Sequence, residues 1–260
     1  MRYLSFVLVL VLPLAGVDAQ AASMCHGATG PLVRPLIELY TSEGCDSCPP
    51  AERWLSGRFE ASDTHASAIA LEFHVDYWDG QGWVDRFGSP QFSARQRAAM
   101  RANGASFVYT PQILLQGHDY ASWRDSNARA INDAAHANAG ATIAVDVTPG
   151  AHDVVVHADA RVEDRAADPA KLFVAYADSG LVSDIKGGEN RGLRIVHDHV
   201  VRALRAAGGT SRDGRVDATL TLPLPRERGT HPTLVAFVAR EATGDVLQAL
   251  AVPLDDCAAP

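Results

Sequence analysis

Leu36-Ile37-Glu38-Leu39-Tyr40-Thr41-Ser42-Glu43-Gly44-Cys45-Asp46-Ser47-Cys48-Pro49-Pro50-Ala51 is the stretch on which the reading of this chain turns. Its apolar start, Leu36 to Tyr40, reads as a short buried strand, and Thr41 to Gly44 as a loop. Pro49 and Pro50 then sit in the first turn of a helix, where a missing N–H is harmless. A cysteine at such a helix start has its thiolate stabilised by the dipole and by free N–H groups. A second cysteine three residues on lies within disulfide reach.

Outward from this stretch, strands and helices alternate. Ala68 to Val75 reads as a strand with Ile69, Leu71, Phe73 and Val75 on one face. Asp76 to Gly88 is a loop carrying Tyr77, Trp78, Trp83 and Phe87. Ser89-Pro90 opens a helix that runs to about Ala102 and closes at Asn103-Gly104. Phe107 to Pro111 leads into a strand over Gln112 to Gln116, and a last helix starts at Ser122 or Asp125 and ends near Ala139. From Ala141 the texture changes to short strands over 142–147, 153–158, 171–177, 193–201, 215–222, 233–240 and 246–253, separated by glycine-rich turns. The expected fold class is therefore α/β: a thioredoxin-like N-terminal domain over residues 30–140, with an all-β, sandwich-like C-terminal extension over 141–256. Some of the later strands could instead extend the first sheet, so the boundary near 140 need not mark an independent fold.

The N-terminus points to export. Arg2 precedes an apolar run from Leu4 to Leu14, and Ala19-Gln20-Ala21 has the small-x-small form that signal peptidase cleaves. Residues 1–21 thus read as a signal peptide, and the mature chain as periplasmic or secreted. The apolar run is too short to span a bilayer, and bulky Met24 argues against lipid attachment at Cys25. A formal charge of -8 argues against nucleic acid and anionic membrane as partners. Four cysteines allow three pairings. The close pair Cys45 and Cys48 suits a redox dithiol, and Cys25 with Cys257 a structural disulfide tying the chain ends together.

In the redox reading Cys45 is the exposed attacker and Cys48 the buried resolver. A static disulfide or half of a metal site has the same spacing, but a zinc site of that sort needs a second such pair, which the sequence lacks. No cofactor and no metal are expected. Thr110-Pro111 is either an ordinary trans proline at a strand start or, as the thioredoxin-like reading suggests, the cis peptide bond that such folds place beside the dithiol, with the backbone of Thr110 open to a substrate strand. Glu43 and Asp46 place like charge beside a thiolate, which points to a reducing or intermediate potential. His74 and Asp76 alternate along one strand, so either is a candidate proton acceptor for Cys48, or the two form a satisfied polar pair. Tyr77, Trp78 and Trp83 could line a substrate groove, with pinning of their loop to the core the plainer reading. His197 and His199 share a face of one strand; copper or nickel chelation is one reading and a solvated face the plainer one. Glu189-Asn190-Arg191, in a glycine-flanked turn, either docks a partner or caps a hairpin.

The opening stretch, together with His74-Val75-Asp76-Tyr77-Trp78-Asp79, Gly82 to Phe87, Ser89-Pro90-Gln91-Phe92, Arg95-Gln96-Arg97, Tyr109-Thr110-Pro111-Gln112 and Gly188-Glu189-Asn190-Arg191-Gly192, resembles a secreted bacterial family catalogued as domain of unknown function 1223. The resemblance spans nearly all of the mature chain. It implies a thioredoxin-like fold with an all-β extension and no established substrate. The expected function is thiol–disulfide exchange with periplasmic protein thiols and disulfides, supplied with electrons by a membrane thiol carrier. The alternative is a binding or assembly module whose disulfide is structural.

Overall fold

A computed structural model describes residues 24–61, 63, 66–125, 128–163, 169–209 and 213–257. The expected signal peptide lies outside them. The chain runs β1 (Cys25–Ala28), β2 (Leu36–Thr41), α1 (Pro49–Arg58), β3 (Ile69–His74), α2 (Pro90–Ala102), β4 (Gln112–Leu115), β5 (His118–Asp119), α3 (Arg129–Ala135), β6 (Ala141–Pro149) and β7 (Asp153–Val162). It continues through β8 (Ala170–Ser179), β9 (Leu181–Asp184), β10 (Arg194–His197), β11 (Val200–Gly209), β12 (Arg215–Pro223), β13 (Thr230–Arg240) and β14 (Val246–Pro253).

The local rules hold for the helices around the site. Cys48 is the N-cap of α1, with prolines in the first turn, and Ser89 Oγ caps α2 by accepting a hydrogen bond from the N–H of Gln91. β2 and β3 pair in parallel, Leu36 opposite Ile69 through Thr41 opposite His74, and β4 runs antiparallel to β2. Every residue of β2 and β3 is buried, because helices cover both faces: α1 and α3 pack on Ile37, Leu39 and Ala70, and α2 on Leu36, Tyr40, Leu71 and Phe73.

The assembly around these strands overturns the expected α/β, thioredoxin-like fold class. The protein is β-rich, 46% strand and 18% helix, with three α-helices among the described residues. One eight-stranded sheet runs β14-β13-β8-β11-β3-β2-β4-β5, so strands from beyond residue 140 continue the sheet that holds β2 and β3. The join is a parallel bridge between Val200 of β11 and Glu72 of β3. The physical reason lies in β8 and β13, whose apolar residues fill both faces. Leu172, Val174 and Tyr176 of β8, with Leu234, Ala236 and Val238 of β13, face a second, four-stranded sheet of order β1-β6-β7-β12. Phe173 and Ala175 of β8, with Val235 and Phe237 of β13, face the α2 side. Strands buried on both faces need cover on both, which a free-standing two-layer extension does not supply.

Two smaller differences matter for the site. The strand expected over 193–201 breaks at Asp198 and His199, where His199 takes φ +60, into β10 and β11. Gly208 and Gly209, which lie where a glycine-rich turn is expected between the strands over 193–201 and 215–222, end β11 instead. No helix among the described residues is long and apolar enough to cross a membrane.

Candidate functional site

Cys45 and Cys48 form a disulfide with their Cα atoms 5.5 Å apart, and Cys25 and Cys257 form a second one. Such bonds persist in oxidising compartments. The loop before α1 folds as a tight series of turns, with the N–H of Cys45 donating to Ser42 and that of Cys48 to Cys45. Both cysteines are fully buried, Cys45 included, although Asp46 and Ser47 between them are exposed.

The cover comes from the far half of the chain. Between β9 and β10, a loop flanked by Gly187, Gly188 and Gly192 lays the buried Asn190 across the cysteine loop. The Asn190 side-chain amide donates to the carbonyls of Glu43 (2.9 Å) and Cys45 (2.8 Å). Glu189 accepts from the N–H of Asp46 at 3.2 Å. Gly187 is a position only glycine can fill, because a Cβ there would lie 2.2 Å from the carbonyl oxygen of Gly82. Of the two roles read for Glu189-Asn190-Arg191, the structure thus shows a cap over the dithiol loop. Trp78 abuts Gly44, its Cβ 3.3 Å from where a side chain would start, and donates through Nε1 to Thr110 Oγ1 at 2.8 Å. It thereby links the cysteine loop to Thr110-Pro111, whose peptide bond is cis. Tyr77 donates to Gln96 and Trp83 to Glu43, so all three aromatics hold the 76–88 loop in place.

Behind the disulfide lies a buried polar cluster. Glu43 comes from the cysteine loop, Glu52 from α1, Glu72 and His74 from β3, Asp85 from the aromatic loop and His197 from β10; none is more than 3% exposed. His74 pairs with Asp85 through Nδ1 and with Glu72 through Nε2, each at 2.7 Å. Burial favours its neutral form, but the charge of Asp85 and the two carboxylate hydrogen bonds override that and lift its pKa to about 10. His74 in turn holds Asp85 below the usual carboxylate range against burial, and His197 and His74 together do the same for Glu72. His197 stands 3.4 Å from Glu43 through Nε2, and 3.4 Å from both Glu52 and Glu72 through Nδ1. Its pKa too is raised by those three carboxylates in spite of burial. Yet neither nitrogen of His197 is in hydrogen-bonding geometry, and Glu43 Oε1, Glu52 Oε2 and Glu72 Oε2 are likewise without a partner.

The sequence-predicted residues divide as follows. Cys45 and Cys48 are together, and Thr110 and Pro111 connect to them through Trp78. His74 and Asp76 part company: both nitrogens of His74 are engaged within the cluster, whereas the Asp76 carboxylate accepts a hydrogen bond from Ser93 at the start of α2. His197 is buried and not on a solvated face, and His199, beyond the strand break, bonds the carbonyl of Phe59. Glu52, Glu72 and Asp85 carried no role in the sequence reading. For Glu72 the signal was present, since the only carboxylate of a mainly apolar strand lies two residues before His74. Glu72, His74 and His197 present atoms within 4.8 Å of one another, a spacing at which they could hold a metal ion.

Known proteins place this arrangement in context. A structural-genomics crystal structure of a protein from Agrobacterium tumefaciens is 26% identical, covering 86% of this chain and 96% of its own, with a TM-score of 0.59. HBP35 of Porphyromonas gingivalis shares the fold at 15% identity and a TM-score of 0.60, over 87% of this chain and 76% of its own. No curated protein matches. The profile of the family described as "Protein of unknown function (DUF1223)" matches residues 36–239, from the strand before the cysteines to the end of β13, and the chain belongs to that family.

Proposed function

We propose that this protein is an exported thiol–disulfide oxidoreductase in which the Cys45–Cys48 bond is the reactive group and the β9–β10 loop its cover. The observation that carries this reading is the position of the bond. It closes on the first turn of α1, where helix N–H groups favour a thiolate, and a glycine-flanked loop is all that Asn190 has to hold over it. In the reduced protein the Cys45 thiolate attacks one sulfur of a partner disulfide and the partner's other sulfur leaves as a thiolate. The Cys48 thiolate then attacks Cys45, re-forming the internal bond and releasing the partner's second thiol. The partner disulfide is reduced by two electrons and the pair is oxidised; a dithiol donor, such as a membrane thiol carrier, returns the two electrons. Periplasmic protein disulfides are the substrates, and residues 1–21 the export signal that brings the protein to them.

Full burial of both cysteines speaks for the other reading, a binding or assembly module with a static bridge. The cover separates the two. Asn190 contributes two hydrogen bonds from a neutral donor, of the order of 1 kcal/mol each and about 2 kcal/mol together, so Asn190→Ala should expose the bond about thirtyfold more often. With stoichiometric dithiothreitol under native conditions, alkylation should map to Cys45 and Cys48 in wild type and appear about thirtyfold faster in Asn190→Ala. A pair that stays unlabelled in both proteins means a static bridge.

A further inference from the structure

We propose that Glu52, Glu72, His74 and His197 form a binding site for one divalent transition-metal ion of the zinc class. The sequence lacks a second cysteine pair, so no metal is expected from it; the donors here are imidazoles and carboxylates instead. The site does not depend on the exchange chemistry of the cysteines.

Three observations carry it. The first is spacing. Two ligands bound to a tetrahedral ion at about 2.0–2.1 Å lie about 3.3–3.4 Å from one another. His197 Nδ1 stands 3.4 Å from Glu52 Oε2 and 3.4 Å from Glu72 Oε1, long for a charge-assisted hydrogen bond and right for neighbouring ligands on one ion. The His74 Nε2 to Glu72 Oε1 contact, 2.7 Å, has to open by roughly 0.6 Å to join the same set.

The second is the orphaned atoms. His197 is fully buried, yet both its nitrogens lack hydrogen bonds, as do Glu52 Oε2 and Glu72 Oε2 beside it. Buried polar atoms without hydrogen bonds are rare, because each has lost its water, and contacts of 3.4 Å leave these without one. They come from three separate elements, and His197 Nδ1 stands 3.4 Å from a carboxylate oxygen of each of the other two residues. A cation beside His197 Nδ1 and Glu52 Oε2, 3.4 Å apart, satisfies both of those atoms at once.

The third is the outer ring of acids. A metal-bound histidine normally donates its other N–H to a carboxylate, which fixes the tautomer and raises its basicity. His74, offering Nε2 inward, has Asp85 on Nδ1 at 2.7 Å, and His197, offering Nδ1 inward, has Glu43 facing Nε2 at 3.4 Å. Asp85 is itself held by the N–H groups of Glu43 and Phe87, and the outer oxygen of Glu52 by Thr41. Two imidazoles with two carboxylates suit zinc or a neighbouring first-row ion and disfavour calcium and magnesium, which take oxygen ligands.

The test uses the full mature chain with both disulfides oxidised, so that no thiolate competes. After chelator treatment and dialysis, ZnCl2 is titrated with native mass spectrometry and calorimetry as readouts, and CoCl2 with visible absorption. One equivalent of Zn2+ should bind and the melting temperature should rise, while Ca2+ and Mg2+ do neither. Bound Co2+ should show the intense d–d bands of a four-coordinate ion. Glu52→Gln and His197→Gln should weaken Zn2+ binding at least tenfold, and the outer-ring change Asp85→Asn by 10- to 100-fold. His118→Ala, on the surface beside Asp245, should leave it unchanged. The Co2+ spectrum of wild type decides even if a core variant fails to fold. No stoichiometric binding by the folded wild-type chain, a six-coordinate Co2+ spectrum, or binding that is lost with His118→Ala and kept in the folded core variants overturns the proposal.

Discussion

Replacing Arg95 by alanine is expected to destabilise the protein by about 3–5 kcal/mol, the range for stranding one member of a buried ion pair. Arg95 projects from α2 onto the eight-stranded sheet. Its Nε and Nη2 grip both carboxylate oxygens of Glu38, at 3.0 and 2.6 Å, and Tyr40 donates to the same carboxylate at 2.7 Å. The guanidinium also lies 4.8 Å from the ring centres of both Phe173 and Phe237, and 5.6 Å from that of Phe73. One side chain thus fastens β2 and β3 to β8 and β13, strands from opposite ends of the sequence, by charge and by cation–π contact. Lysine should rescue little, since it cannot form the paired contact. The double variant Arg95→Met with Glu38→Leu should recover at least half of the loss, because no charge is then left buried. Urea unfolding followed by tryptophan fluorescence measures both; a single variant within about 0.5 kcal/mol of wild type contradicts this picture.

The second large effect belongs to the bond between Cys25 and Cys257. It closes a loop with a sequence separation of 232, for which chain entropy alone gives about 5 kcal/mol at 25 °C. Its ends are otherwise held modestly. β1 is a four-residue edge strand paired only with β6, and Cys257 packs into the core between the two sheets. The expected result for the chain with Cys25→Ser and Cys257→Ser is a fall in stability of about 4–5 kcal/mol, with Cys45–Cys48 intact. An unchanged urea midpoint shows that the folded ends hold themselves.

Which parts of this were legible in the sequence follows from the kind of information each part needs. Helix starts are local: Ser89-Pro90 and Cys48-Pro49 carry their caps within a few residues, and both helices begin there. Strand positions were readable too, since Thr142–Val147 and Asp153–Ala158 alternate with period two and fall inside β6 and β7. What strand pairs with what is not local. Lys171–Ala177 is apolar on both faces, and such a run says that it is buried without saying which sheet buries it. The fold class failed at that point, because β8, β11, β13 and β14 join the sheet of β2 and β3. The acid–histidine cluster was hidden for the same reason: Glu52, Glu72, Asp85 and His197 sit on four elements that only the completed sheet and hairpin bring together. Reading 193–201 as one continuous strand placed His197 beside His199, whereas the left-handed turn at His199 separates them.

The claim that Cys45 exchanges with a partner is tested most directly in the purified Cys48→Ser variant, where no resolving thiol can erase the intermediate. Incubated with glutathione disulfide under native conditions, the variant should gain one glutathione by mass, mapped to Cys45 and released by dithiothreitol. A folded variant whose Cys45 stays unmodified contradicts the account.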